Sequence, residues 1–149
     1  MSPPDPARIL IVDDHRPTRQ SLCLLLCDVG YACTSTPSVR EAREILAPTH
    51  LPPPALIIVD LWMPVEDGES LLRWIRGQAH LNYTRVAMYS AAPARDHESR
   101  LRAAGADDFI PKPTPIPQLL ARLALFARPN TAGLPISLHF TPNTEKSPQ

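Results

Sequence analysis

Ala55-Leu-Ile-Ile-Val-Asp60 decides the fold, because it is an unbroken apolar run that ends on a carboxylate. A strand with one wet face alternates apolar and polar residues. A continuous run instead suits a parallel strand covered by helices on both faces. Arg8-Ile-Leu-Ile-Val12 has the same character and ends in Asp13-Asp14. Between the two, Leu22, Leu25, Leu26 and Val29 recur at helical spacing after Pro17, and Gly30 supplies a stop. Residues 31–35 read as a short second strand. Residues 38–46 read as a second helix, with Val39, Ala42, Ile45 and Leu46 on one stripe.

The alternation continues downstream. Asp67 or Gly68 opens a third helix through Leu71, Leu72 and Ile75 to Gly77, and residues 85–89 form a fourth strand. Residues 95–104 form a fourth helix closed by Gly105, residues 107–110 a fifth strand, and residues 116–127 a fifth helix. Five βα units with right-handed crossovers imply an α/β fold, a doubly wound five-stranded parallel sheet of the flavodoxin-like type. Residues 1–7 read as a disordered N-terminal extension, 8–128 as one domain and 129–149 as a flexible tail or linker stub. Within that tail Ile136, Leu138 and Phe140 alternate as a short docked strand would.

At 149 residues and 44% hydrophobic content the chain has the size and composition of one domain with a complete core. Fifteen basic and fifteen acidic side chains cancel, so no net positive field draws this chain to nucleic acid. The N-terminus MSPPDPAR has no apolar core of a signal peptide and no run is long enough to cross a bilayer, which places the chain in the cytoplasm. The three cysteines lack zinc spacing. Cys23 and Cys27, four apart in an apolar stretch, are expected to be small buried core residues rather than a redox pair. Nineteen prolines gather at the connections, where they punctuate the repeat.

An open α/β sheet binds ligands beyond the carboxyl ends of its strands. At that rim the first strand delivers Asp13 and Asp14, the third Asp60 and the fourth Ser90, while Lys112 follows the fifth. Unit charges ~4 Å apart interact by ~4 kcal/mol at an effective dielectric of about 20, so three neighbouring carboxylates call for a cation. Hard oxygen donors suit Mg²⁺. Such a cation would neutralise an incoming phosphoryl group and line it up with a carboxylate nucleophile. Taken singly, the residues have plainer readings. Asp13 and Asp14 could cap a helix, Asp60 and Ser90 could make turns, and Lys112 could be a solvated surface charge. Their combination is what carries the chemistry.

These pieces resemble the receiver domain of two-component signalling over roughly residues 8–127. The matching segments are Ile-Leu-Ile-Val-Asp13-Asp14, Asp60-Leu-Trp-Met63-Pro64 with Asp67-Gly68, Ser90-Ala91, and Phe109-Ile-Pro-Lys112-Pro113. The resemblance implies the strand order 2-1-3-4-5 known for a chemotaxis receiver. It implies Asp60 as phosphoacceptor from a sensor histidine kinase or phosphotransfer protein. Asp13, Asp14, Asp60 and the Trp62 carbonyl would be Mg²⁺ ligands, Ser90 and Phe109 a switch pair, and Lys112 a counter-charge before a cis Lys112–Pro113 bond. Downstream partners would dock on the face of helix four, strand five and helix five, and a homodimer through helices four and five is allowed. The domain would turn over no separate substrate, catalysing only its own phosphorylation and slow dephosphorylation.

Two features depart from the family pattern. Trp62, with Ala92 nearby, offers no polar group to orient an attacking water, so self-dephosphorylation is expected to be slow. Pro111, Pro113, Pro115 and Pro117 should stiffen the junction after strand five. Among competing functions, a phosphorylation-independent binding module would keep the fold and lose the switch, against which the intact acidic and lysine positions speak. An aspartate-nucleophile phosphatase would need a second acid two residues after the nucleophile, where Trp62 stands. A nucleotide-binding site would need a Gly-rich loop after the first strand, which is absent.

Overall fold

The computed structural model describes residues 5–130. Strands β1 (Arg8–Val12), β2 (Ala32–Thr36), β3 (Leu56–Val59), β4 (Arg85–Ser90) and β5 (Asp108–Pro111) alternate with helices α1 to α5. The helices are α1 (Arg16–Asp28), α2 (Val39–Leu46), α3 (Gly68–Arg76), α4 (Ala94–Ala103) and α5 (Ile116–Ala124). All strand pairs are parallel, in the order β2-β1-β3-β4-β5. The expected fold and strand order therefore hold. A single 3-10 turn at Ala79–Leu81 adds to the expected elements, and helix and strand ends shift by one to three residues. Most of the expected extension 1–7 and tail 129–149 lies outside the described residues.

The unbroken apolar runs are explained by side-chain parity. Leu10, Val12, Ile57, Val59, Val86, Met88 and Phe109 point to a layer built with α2, α3 and α4. Ile9, Ile11, Leu56, Ile58, Ala87 and Ile110 point to the opposite layer, closed by α1 and α5. Because strand side chains alternate, both parities must be apolar when both faces are covered.

Local chemistry sets the helix starts. Ser38 caps α2 by accepting from the Glu41 N–H at 3.1 Å, and Asp67 caps α3 through Ser70 at 3.0 Å. Gly30 and Gly105 end their helices at φ +109° and +113°. The cysteine expectation needs correction, because Cys27 is exposed and Cys23 only half-buried. Leu22 and Leu26 take the inward face of α1, and a residue one position further on is turned about 100° away. Ile45 is likewise half exposed rather than on the buried stripe of α2. No helix among the described residues is long and apolar enough to cross a membrane.

Candidate functional site

Sheet geometry brings the predicted rim together. Asp13 follows β1 directly and is buried, Asp14 is exposed, and Asp60 follows β3 in a half-buried position. One carboxylate oxygen from each lies within 4.8 Å of the others. Lys112 reaches in from beyond β5, its Nζ 2.6 Å from Asp13 Oδ2 and 3.4 Å from Asp60 Oδ2. Ser90, the last residue of β4, is fully buried, its hydroxyl accepts the Ala92 N–H at 3.2 Å, and it lowers the Asp60 carboxyl. Among the described residues, three carboxyl groups thus gather beside one ammonium, which pairs with Asp13 and Asp60.

Two backbone features aim the acids. The His15 N–H donates to Asp13 Oδ1 at 2.9 Å, and the Trp62 N–H donates to Asp60 Oδ1 at 3.2 Å. Each carboxylate is fixed by the amide two residues on, an Asx-type turn that costs no other side chain. Burial pushes the Asp60 carboxyl up from its ordinary range, and Asp13 adds to this, while Lys112, Ser90 and the Trp62 amide pull the other way. The net upward direction says that burial of the Asp60 carboxyl outweighs what Lys112 and the hydrogen bonds supply.

Four contributors escaped the sequence reading. Tyr89 places its ring 5.1 Å from Lys112 Nζ, a cation–π contact from the opposite parity of β4. Arg19 donates to the Asp13 carbonyl at 2.8 Å. His15 caps α1, accepting the Thr18 N–H at 3.3 Å. Gly68 lets the start of α3 lie against the end of β3, since a Cβ there would sit 2.2 Å from the Asp60 carbonyl oxygen. Only the Asp-Gly pair signalled that approach, and it signals many ordinary turns as well.

The remaining predicted residues surround this centre. Phe109 is buried on the same sheet face as Ser90, two register pairs back, where Met88 pairs with Phe109 and Ser90 with Pro111. Trp62 is 55% exposed and meets the His97 ring edge-on, centroids 6.5 Å apart. The Lys112–Pro113 bond is cis, as the family pattern implied.

The response regulator receiver domain model matches residues 9–124. This chain belongs to that family. Among similar proteins, the response regulator MprA of Mycolicibacterium vanbaalenii is 35% identical over 129 residues, covering 85% of this chain and 52% of that protein. The virulence transcriptional regulatory protein PhoP of Salmonella choleraesuis is 35% identical over 125 residues, covering 83% and 53%. The chain spans about half the length of these relatives. The chemotaxis protein CheY4 of Vibrio cholerae superposes with a TM-score of 0.73 at 27% identity, covering 81% of this chain and 98% of that one. The signal receiver domain of a histidine kinase from Syntrophus aciditrophicus gives 0.71 at 33% identity, covering 80% and 89%. The protein is thus a receiver domain of two-component signalling, and its acidic rim lies where the fold presents ligands.

Proposed function

We propose that this receiver takes a phosphoryl group onto Asp60 from the phosphohistidine of a sensor kinase or phosphotransfer protein. The observation that carries the reading is the convergence of Asp13, Asp14 and Asp60 oxygens opposite Lys112. An all-oxygen donor set with excess negative charge fits a hard divalent cation. Asp13, Asp14 and Asp60 would hold Mg²⁺, with the Trp62 carbonyl as a further ligand. When bound, Mg²⁺ supplies the positive charge that lets an anionic phosphoryl group approach a carboxylate.

The chain's own residues do the rest. An Asp60 carboxylate oxygen attacks phosphorus while the P–N bond breaks and its electron pair returns to the donor imidazole. Lys112 sits close enough to both Asp13 and Asp60 to pass from the acid pair to a phosphoryl oxygen. The Ser90 hydroxyl, buried beside Asp60, donates to another. If Ser90 turns toward the phosphoryl group, space opens on the face it shares with Phe109, and the ring can follow it. That rearrangement would pass to the face of α4, β5 and α5, where a downstream protein or a second copy would dock in the cytoplasm. The domain modifies itself and turns over no separate substrate.

Incubation with acetyl phosphate and Mg²⁺, read by intact-protein mass, tests this reading. Wild type should gain one phosphoryl group and Asp60→Asn none. No gain in folded wild type would leave a receiver fold that binds partners without phosphorylation.

A further inference from the structure

Far from the acidic rim, a groove of about 410 Å³ lies against the amino-terminal halves of β1 and β2, beside the end of α2 and residues 48–54. Its lining includes Arg8, Ala32, Cys33, Ile45, Leu51 and His80, with Leu51 and Ile45 each about half exposed. Among the described residues no strand lies beyond β2. The Ala32 N–H bonds the Ala7 carbonyl and the Thr36 carbonyl accepts from Asp13, so even-numbered residues of β2 turn to β1. Cys33 and Ser35 therefore direct their amides outward, as a strand edge does before it is paired.

The chain is delivered to this edge. Tyr31 Oη donates to the Ala127 carbonyl at 2.6 Å, and the Asn130 N–H donates to the Gly30 carbonyl at 2.8 Å. The approach is so close that a Cβ on Gly30 would meet the Asn130 oxygen at 2.3 Å. Gly30 precedes the first residue of β2 by two positions, a distance of at most about 7 Å. The stretch from Asn130 to Ile136 can span roughly 20 Å, more than the ~16 Å length of a five-residue strand. It leads into Ile136-Ser-Leu-His-Phe140, which alternates with period two and is bracketed by Pro135 and Pro142. Residues 131–144 contain no Asp, Glu, Lys or Arg. An uncharged alternating segment tethered at the foot of an apolar edge groove matches the chemistry of strand addition.

We propose that Ile136–Phe140 of this chain adds to the outer edge of β2 as a sixth strand. The Cys33 and Ser35 amides donate to it, and Ile136, Leu138 and Phe140 cover Ile45 and Leu51. The Cys33 carbonyl already accepts the Cys23 thiol at 3.5 Å and keeps a second lone pair for the incoming strand. The sixth strand closes the exposed edge and leaves the phosphoryl-acceptor rim untouched.

Amide hydrogen exchange on the full chain tests the proposal. The Cys33 and Ser35 amides should exchange at least tenfold faster in the I136D/L138D/F140D triple variant than in wild type, with β1 and β3 amides unchanged as a check on folding. S137D/H139D, on the opposite parity, should retain the protection, and L51D should lose it without any change to the tail. Equal exchange in wild type and the triple variant would overturn the proposal. Protection that disappears on dilution would overturn it too, by assigning the groove to a second copy.

Discussion

Asp107 and Asp60 stand at opposite ends of the same sheet in opposite company. At the amino end of β4 and β5, Asp107 is held by Arg76 at 3.0 Å and Arg85 at 3.1 Å, and it accepts the Val86 N–H at 2.8 Å. Arg76 goes on to donate to the Gly105 and Thr84 carbonyls at 2.9 and 2.8 Å. At the carboxyl end, Asp60 shares one lysine with Asp13, and Asp14 stands beside them. Among the described residues, one carboxylate has two guanidinium partners, whereas Asp13 and Asp60 share one ammonium with Asp14 close by. A charge that the protein compensates fully fastens elements together. A charge left in excess needs something from outside, and that difference is what the proposed site at the carboxyl end rests on.

Substitutions at the two ends should therefore behave oppositely. Asp60→Asn should abolish phosphoryl uptake altogether, yet melt no lower than wild type in EDTA, because it removes one of three crowded carboxylates. The pH dependence gives the sign. An acid whose folded pKa is raised binds its proton more tightly when folded, so Asp60 lowers stability as pH rises from the ordinary carboxylate range through its raised value. Metal-free wild type should show that loss in urea titrations across the window, and Asp60→Asn should lack it. A steeper loss in the variant would contradict the electrostatic account.

Asp107→Asn should do the reverse. It should cost about 2 kcal/mol in urea unfolding, since two arginines lose a partly buried anionic partner, while the phosphorylation rate stays at the wild-type level. A stable variant with impaired phosphoryl uptake would erase the distinction between the two ends.

A smaller effect concerns Trp62. Its ring meets His97 edge-on and has no basic atom to activate a water, so Trp62→Asn should shorten the phosphorylated half-life by at least about tenfold, followed by loss of the added mass. An unchanged half-life would show that the indole does not control water.

The smallest effect tests compensation on the α4–β5–α5 face. Burial alone would raise the Asp108 carboxyl, but Arg122 at 2.6 Å, with the Phe109 amide and Arg102, brings it below the ordinary value. A depressed acid stabilises above its unfolded pKa and loses that contribution as pH falls through the folded one. Asp108→Asn should therefore lose roughly 1 kcal/mol at neutral pH and show a flatter acid limb below about pH 4. Identical acid limbs would remove Asp108 from the account.

How much of this was legible in the sequence depends on the same physics. Asp13, Asp14, Asp60, Ser90 and Lys112 could be read because each sits at the end of an apolar run, and a parallel sheet brings run ends to one rim. Tyr89 could not. It is an ordinary strand aromatic whose contact with Lys112 depends on how the chain just beyond β5 folds back. Gly68 carries the same Asp-Gly signature as a simple turn, and only packing reveals the close approach to the Asp60 carbonyl. Periodicity put Cys27 and Ile45 inward, but a helix on a sheet buries a narrow stripe, and residues one step off it emerge. Val65, an exposed β-branched residue at φ +70° in the connection from β3 to α3, lies in the left-handed region, which no sequence rule anticipates.

The most direct test of uncompensated against compensated charge is the change in Tm on adding Mg²⁺ to wild type, Asp13→Asn, Asp60→Asn and Asp107→Asn. A cation bound only by the folded state raises stability in proportion to RT ln(1 + [L]/Kd). Wild type and Asp107→Asn should gain equally with Mg²⁺ concentration, while Asp13→Asn and Asp60→Asn gain little or nothing. An equal gain in all four proteins, or none in wild type, would contradict the claim that the carboxyl-end rim is the cation and phosphoryl site.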